Sequence, residues 1–169
     1  MKKLLYSLIL VMAISAAFAQ ADTSKAGEKE ATSLPAFTLL KVDSTSMTRM
    51  DLPKNKKIMI MFFSPGCDHC KHQTDSILSN IEKLKDVEIL MTTYQPFDEM
   101  KVFYQEYKLA KYSNVLMARD IKYFFPSFYK FRSLPFLALF NEKGKLITTF
   151  EGSTKMAQVL EAFQPRSMM

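Results

Sequence analysis

The stretch Ile58-Met59-Ile60-Met61-Phe62-Phe63-Ser64-Pro65-Gly66-Cys67-Asp68-His69-Cys70-Lys71-His72-Gln73 decides how the rest of the chain is read. Its first six residues are an uninterrupted apolar run, too short for a helix and halted by Ser64-Pro65-Gly66. Such a run predicts a strand buried on both faces. Beyond it, Cys70, Thr74, Ile77, Leu78, Ile81 and Leu84 recur at three- and four-residue spacing and mark one face of a helix. Cys67 and Cys70 therefore fall where a buried strand feeds a helix N-terminus. Unpaired backbone N–H groups and the positive end of the helix dipole favour a thiolate at Cys67. Cys70, one turn in, lies deeper and can attack a mixed disulfide formed at Cys67.

His69 can stabilise that thiolate further, by charge or by a hydrogen bond, and a stabilised thiolate makes the disulfide a stronger oxidant. Asp68 acts in the opposite sense, since a nearby carboxylate raises a thiol pKa. Two other uses of the pair stand beside the redox one. As a structural staple, so short a loop gains about 2 kcal/mol, against about 3 for a 15-residue loop. As a metal site, Cys67, Cys70, His69 and His72 supply four soft or borderline ligands, but without the separate second ligand pair of most structural zinc sites. The residues favour redox, and no metal is expected.

Working outward, Val87 to Thr93 reads as the next strand, and Asp98 to Ala110 as a helix with Met100, Phe103, Tyr107 and Ala110 on one stripe. Upstream, Phe37 to Val42 and Met47 to Leu52 look like two short strands around an Asp43–Ser46 turn. Residues 111–132 carry weaker signals: Asp120 can cap a short helix through Phe125, Pro126 stops it, and Ser127 can start another turn. Phe136 to Phe140 is a strand, Asn141-Glu142-Lys143-Gly144 a turn, and Lys145 to Phe150 its hairpin partner. Ser153 is placed to cap a last helix that turns Met156, Val159 or Leu160, and Phe163 to the core. The order predicts an α/β fold, a mixed sheet with helices on both faces.

With 169 residues, 48% apolar and 24% charged, the chain suits one globular domain. Two cysteines exclude a disulfide-dense miniprotein, and four glycines with seven prolines exclude collagen-like material. Lys2 and Lys3 precede an apolar run from Leu4 to Ala17, and Ala17-Phe18-Ala19 offers small residues to a signal peptidase. Residues 1–19 are thus expected to be a cleaved signal peptide, with a periplasmic or otherwise exported product. Membrane contact would come only through that segment if it stayed uncleaved. Residues 20–33 read as a flexible leader and 34–165 as the domain. Cleavage removes two lysines and no acids, which lowers the formal charge from +6 to +4. No basic run accompanies that mild excess, so no nucleic-acid partner is expected. Export puts both thiols where they can pair.

The run IMIMFFSPGCDHCKHQ, followed far downstream by RSLPFLALFNEKGKLITTFEG, resembles thioredoxin-fold thiol–disulfide oxidoreductases. The exported leader and the extra N-terminal strand hairpin place it nearest the TlpA/ResA-like branch. The resemblance implies a thioredoxin-like sheet, Cys67 as nucleophile and Cys70 as the resolving thiol. It also implies a cis proline at Pro135, with Leu134 beside it, facing the cysteines and shaping the substrate surface. The implied partners are protein thiols or disulfides and a redox donor or acceptor protein. No cofactor is needed, and a monomer is expected. Gly66, Met61 and Gln73 stand where relatives often carry an aromatic residue, a buried acid or amide, and a glutamate.

Tyr123, Phe124, Phe125, Phe128, Tyr129 and Phe131 gather just before Pro135. They read as core and helical cap, or as an apolar groove holding unfolded substrate. Met59, Met61, Met91 and Met100 fit core positions, and His72 is expected to face solvent.

Overall fold

A computed structural model of the chain describes residues 32–164, so the expected signal segment and most of the leader lie outside the described residues. Seven strands form one mixed sheet, in the order β2-β1-β5-β4-β3-β6-β7. They are β1 (Thr38–Lys41), β2 (Ser46–Thr48), β3 (Lys57–Phe62), β4 (Val87–Thr93), β5 (Val115–Arg119), β6 (Phe136–Phe140) and β7 (Leu146–Glu151). Four α-helices accompany them: α1 (Asp68–Ser79), α2 (Phe97–Glu106), α3 (Phe124–Tyr129) and α4 (Met156–Ala162). The parallel strands β3, β4 and β5 are joined through helices, as parallel strands require, while β6 and β7 return as an antiparallel hairpin.

The run 58–63 is buried throughout because alternate residues feed two cores. Met59, Met61 and Phe63 join Cys70 and Ile77 of α1, Met100 and Phe103 of α2, and Val159 of α4 on one face. Ile58, Ile60 and Phe62 join Phe125 of α3 and Leu39 and Met47 of the N-terminal hairpin on the other. All four methionines expected in the core are fully buried.

The structure corrects several sequence expectations. Residues 115–119 form β5, a strand that the sequence reading lacked. It lies between β4 and β1, and its Val-Leu-Met-Ala-Arg run is too short and too unpatterned to distinguish from helix without those neighbours. The second N-terminal strand ends at Thr48. There Asp51 accepts a hydrogen bond from the Thr48 amide (2.7 Å) and tightens Arg49–Asp51 into a 3-10 turn. The helix after β4 ends at Glu106, before Lys108 takes left-handed backbone at φ 49°, and a separate 3-10 turn covers Leu109–Lys111.

Pro126 does not stop a helix. It sits in the first turn of α3, where an intrahelical N–H is not yet needed. Asp120 does cap, at longer range than expected. Its two carboxylate oxygens accept from the amides of Phe124 and Phe125, both at 2.9 Å. Ser153 caps nothing: α4 starts three residues later, after Lys155.

Asp120 is 1% exposed, so its loss strands two amides in a buried corner. Asp120→Ala is expected to lower unfolding free energy by about 1–3 kcal/mol, while Ser153→Ala changes it by less than about 0.5 kcal/mol. Urea denaturation of the two variants checks the pair.

Candidate functional site

The loop that leaves β3 is anchored before it turns. The Phe63 amide donates to the Thr92 carbonyl (3.0 Å), which extends the β3–β4 ladder by one residue, and the Phe63 ring lies against Phe103 of α2 (4.6 Å between centroids). Ser64-Pro65-Gly66 then reverses the chain, and the Cys67 amide closes on the Ser64 carbonyl (3.1 Å). Cys67 becomes the N-cap of α1 with extended backbone (φ −89°, ψ 117°). Its sulfur accepts from the Cys70 amide at 3.4 Å, filling the place a Ser or Asp oxygen usually takes.

The two thiols differ in surroundings. Cys67 is half-buried, whereas Cys70 is fully buried in the core cluster that also holds Met61, Met91 and Ile77. Both are free thiols. Burial pushes the Cys70 pKa up to about 12. A hydrogen bond shared with Cys67 acts in the same sense, and a backbone hydrogen bond from Ser64 opposes it. Asp68 points outward and meets Lys71 at 3.5 Å with its own side chain 81% exposed. His69 is exposed and makes no hydrogen bond or ion pair among the described residues. His72 is exposed as expected, and no group of three His, Cys, Asp or Glu among the described residues is arranged to hold a metal.

Leu134 and Pro135 arrive at the same end of the sheet. Phe136 of β6 pairs with Phe62 of β3, so the residue before β6 and the loop after β3 share one edge. The Leu134–Pro135 peptide is cis, Pro135 is buried, and its carbonyl accepts from the Gly152 amide (2.8 Å). Leu134 packs against both cores.

Two supporting residues had no clear sequence signal. Glu151 of β7 accepts from the Arg132 (2.9 Å) and Ser133 (3.3 Å) amides and so holds the loop leading to Pro135. Gln73 is 2% exposed, one turn beyond Cys70, and its amide oxygen accepts from the Thr154 amide (2.8 Å). Its nitrogen faces the Met156 sulfur at 3.7 Å. Gln73 is thus a tie between α1 and the approach to α4. Only its position, three residues after Cys70 on an apolar stripe, hinted at burial.

The aromatic segment resolves largely as core and cap. Phe125 is fully buried; Phe124, Tyr129 and Phe131 pack partly buried against the second core, and Phe128 stacks on Phe124. Tyr123 alone stands half-exposed, its ring edge-on to Tyr94 (5.1 Å).

Against known proteins, residues 45–164 match the thioredoxin-like domain family. The chain belongs to that family. A search of curated proteins by sequence gives no match. Among solved structures, this thioredoxin-like domain is similar to a secreted disulfide oxidoreductase of Mycobacterium tuberculosis homologous to E. coli DsbE. The two share 15% identity at a TM-score of 0.62, over 75% of this chain and 92% of that one. It is also similar to StoA from Bacillus subtilis (19%, 0.58, 76% and 96%). A third likeness is to the thioredoxin domain of a thiol-disulfide oxidoreductase from Bacteroides vulgatus (19%, 0.64, 78% and 95%). These likenesses establish the shared thioredoxin-like fold.

The environments of the two thiols set a pH-dependent contrast. An ordinary thiol titrates at 9.0, so between 9.0 and about 12 the unfolded chain loses the Cys70 proton while the native state keeps it. The stability due to Cys70 is therefore complete below 9.0 and declines as pH rises through that window. In the native, reduced protein, iodoacetamide is expected to label Cys67 and spare Cys70 at neutral pH and still at pH 9.0, whereas both react in denaturant. Peptide mapping of the alkylated protein reads the difference.

Proposed function

We propose that this chain is an exported thiol–disulfide oxidoreductase that exchanges disulfides with protein substrates through Cys67 and Cys70. The observation that carries the reading is the pairing of a half-buried N-cap thiol with a fully buried one a turn deeper, bridged by a 3.4 Å amide–sulfur contact. The accessible sulfur can meet a large disulfide, and the buried one cannot. Family membership supports the reading, as does the description of one structural neighbour as a secreted disulfide oxidoreductase. Export is supported by Lys2, Lys3 and the apolar run ending in Ala17-Phe18-Ala19.

In the reducing direction, the Cys67 thiolate attacks one sulfur of the substrate disulfide. A Cys67–substrate disulfide forms, and the other substrate sulfur leaves as a thiolate. Cys70 then attacks the Cys67 sulfur, closing the Cys67–Cys70 disulfide and expelling the second substrate thiolate, which takes up the Cys70 proton. The protein pair is oxidised by two electrons and the substrate disulfide is reduced by two. The reverse sequence oxidises a substrate dithiol. A partner dithiol or disulfide protein returns the pair to its starting state, and the sulfurs carry the electrons without a cofactor. Leu134 and Pro135 form the surface along which the substrate backbone lies. His69 and Asp68, both exposed next to Cys67, adjust its thiolate through their charges.

The test is exchange between the reduced protein and a protein disulfide. Cys70→Ser is expected to accumulate a covalent adduct through Cys67, visible on non-reducing electrophoresis, and Cys67→Ser to slow exchange by about 100-fold or more. Undiminished exchange by Cys67→Ser overturns the assignment.

A further inference from the structure

We infer that the cleft between the start of α1 and the exposed side of α2 docks an extended, basic–apolar–basic segment of the substrate protein and so selects which disulfides reach Cys67. The inference rests on the exchange reading above and names its substrate class.

The cleft has a volume of about 320 Å³ and is lined by Pro65, Lys71, Asp98, Glu99, Val102, Phe103 and Glu106. It adjoins the cysteine pair through the chain itself. Pro65 stands two residues before Cys67, Lys71 stands one turn after it, and Phe103 forms a floor that contacts Phe63 of the cysteine loop.

Val102 is the first anomaly. A β-branched residue in mid-helix costs helix propensity, normally offset by burial, yet Val102 is 52% exposed. Glu106 is the second. Asp98 and Glu99 lie in the first turn of α2, where the helix dipole favours them, but Glu106 is its last residue, where the dipole opposes a carboxylate and no basic residue compensates. None of the three carboxylates is ion-paired among the described residues. The nearby cations are otherwise engaged: Lys71 faces Asp68 at 3.5 Å, and Lys101 sits 4.9 Å above the Phe97 ring. An apolar centre flanked by free carboxylates, in a chain of formal charge +6, is complementary to an apolar side chain flanked by cations.

Spacing sharpens the class. Asp98, Val102 and Glu106 are four residues apart on one helical stripe, so the carboxylates are separated by about 12 Å along the axis. An extended peptide covers about 13 Å in four residues. A Lys or Arg two residues before and two residues after an aliphatic side chain therefore matches both ends and the middle together.

The test uses the full chain, reduced, and three peptides of the pattern Lys-Ser-Leu-Ser-Lys-Gly-Gly-Cys, each held in a mixed disulfide with thionitrobenzoate. In the second peptide both lysines are glutamates, and in the third the leucine is serine. Rates are read by thionitrobenzoate release and divided by the rate of the same peptide with dithiothreitol, which removes intrinsic reactivity. The Lys–Leu peptide is expected to react about ten-fold faster than the Glu peptide at low ionic strength, and faster than the Ser peptide, with the charge-dependent ratio shrinking as salt is added. The double variant Asp98→Asn/Glu106→Gln is expected to reduce the Lys-to-Glu ratio to about two or less. Equal normalised rates for the three peptides, or an unchanged ratio in the double variant, overturn the docking inference and leave exchange chemistry standing. Failure of every disulfide, Ellman's reagent included, to oxidise Cys67 and Cys70 removes the exchange reading and the docking inference with it.

Discussion

The double-sided burial of β3 is the constraint on which the site depends. A strand with β4 on one edge, β6 on the other and apolar cores on both faces has no freedom to slide or tilt, because a one-residue slip would exchange the two faces throughout. The path of the chain beyond β3 is fixed accordingly. The Phe63 amide extends the ladder, Phe103 holds the Phe63 ring, and the chain reaches Cys67 in position to cap α1. The same strand brings Phe136, and with it the cis Leu134–Pro135 peptide, to that edge. Two segments nearly 70 positions apart in the chain thus meet because each is hydrogen-bonded to β3 or continuous with it.

The asymmetry of the two thiols is a product of helix geometry. Cys67 is the last non-helical residue, so its sulfur lies beyond the first turn and takes an amide donor. Cys70, the third residue of α1, sits on the stripe that continues through Thr74 and Ile77 into the core, so its sulfur is carried under the helix among methionines. No local acid or base accounts for the difference: Asp68 and His69 are both exposed, and Met61 and Gln73 carry no titrating group. Burial is the largest influence holding the Cys70 proton, and the hydrogen bond shared with Cys67 adds to it.

What the sequence made legible was whatever is written in periodicity and short range. The run 58–63, the α1 stripe and the Phe136–Phe140 hairpin each declare themselves within a dozen residues, and the CxxC position follows from the first two. The failures share a cause. β5 has a strand's conformation only because β4 and β1 flank it, and Pro126 breaks nothing because Asp120, six residues earlier, supplies the cap that fixes where α3 begins. Ser153 resembles a cap because serine is a common choice there, but α4 begins only at Met156, and the Thr154 amide between them is taken by Gln73 from 81 positions away. The docking cleft was invisible for the same reason: Pro65 and Val102 share a wall only after β3 and β4 have placed α1 and α2 side by side.

Three polar side chains complete the frame, and each accepts hydrogen bonds from backbone amides. Asp120 closes the corner between β5 and α3, Glu151 holds residues 132 and 133 ahead of Pro135, and Gln73 ties α1 to the segment before α4. Loop amides at such positions have no ladder partner, and an unpaired amide away from water costs free energy comparable to a lost hydrogen bond. Satisfying them from a neighbouring element turns three loops at or beside the cysteine edge into parts of the sheet's rigid body. A site that must present one sulfur, hide the other and keep a proline edge at fixed distance from both needs that rigidity most where the chain is least regular. Here it comes from carboxylates and an amide that no local pattern would single out.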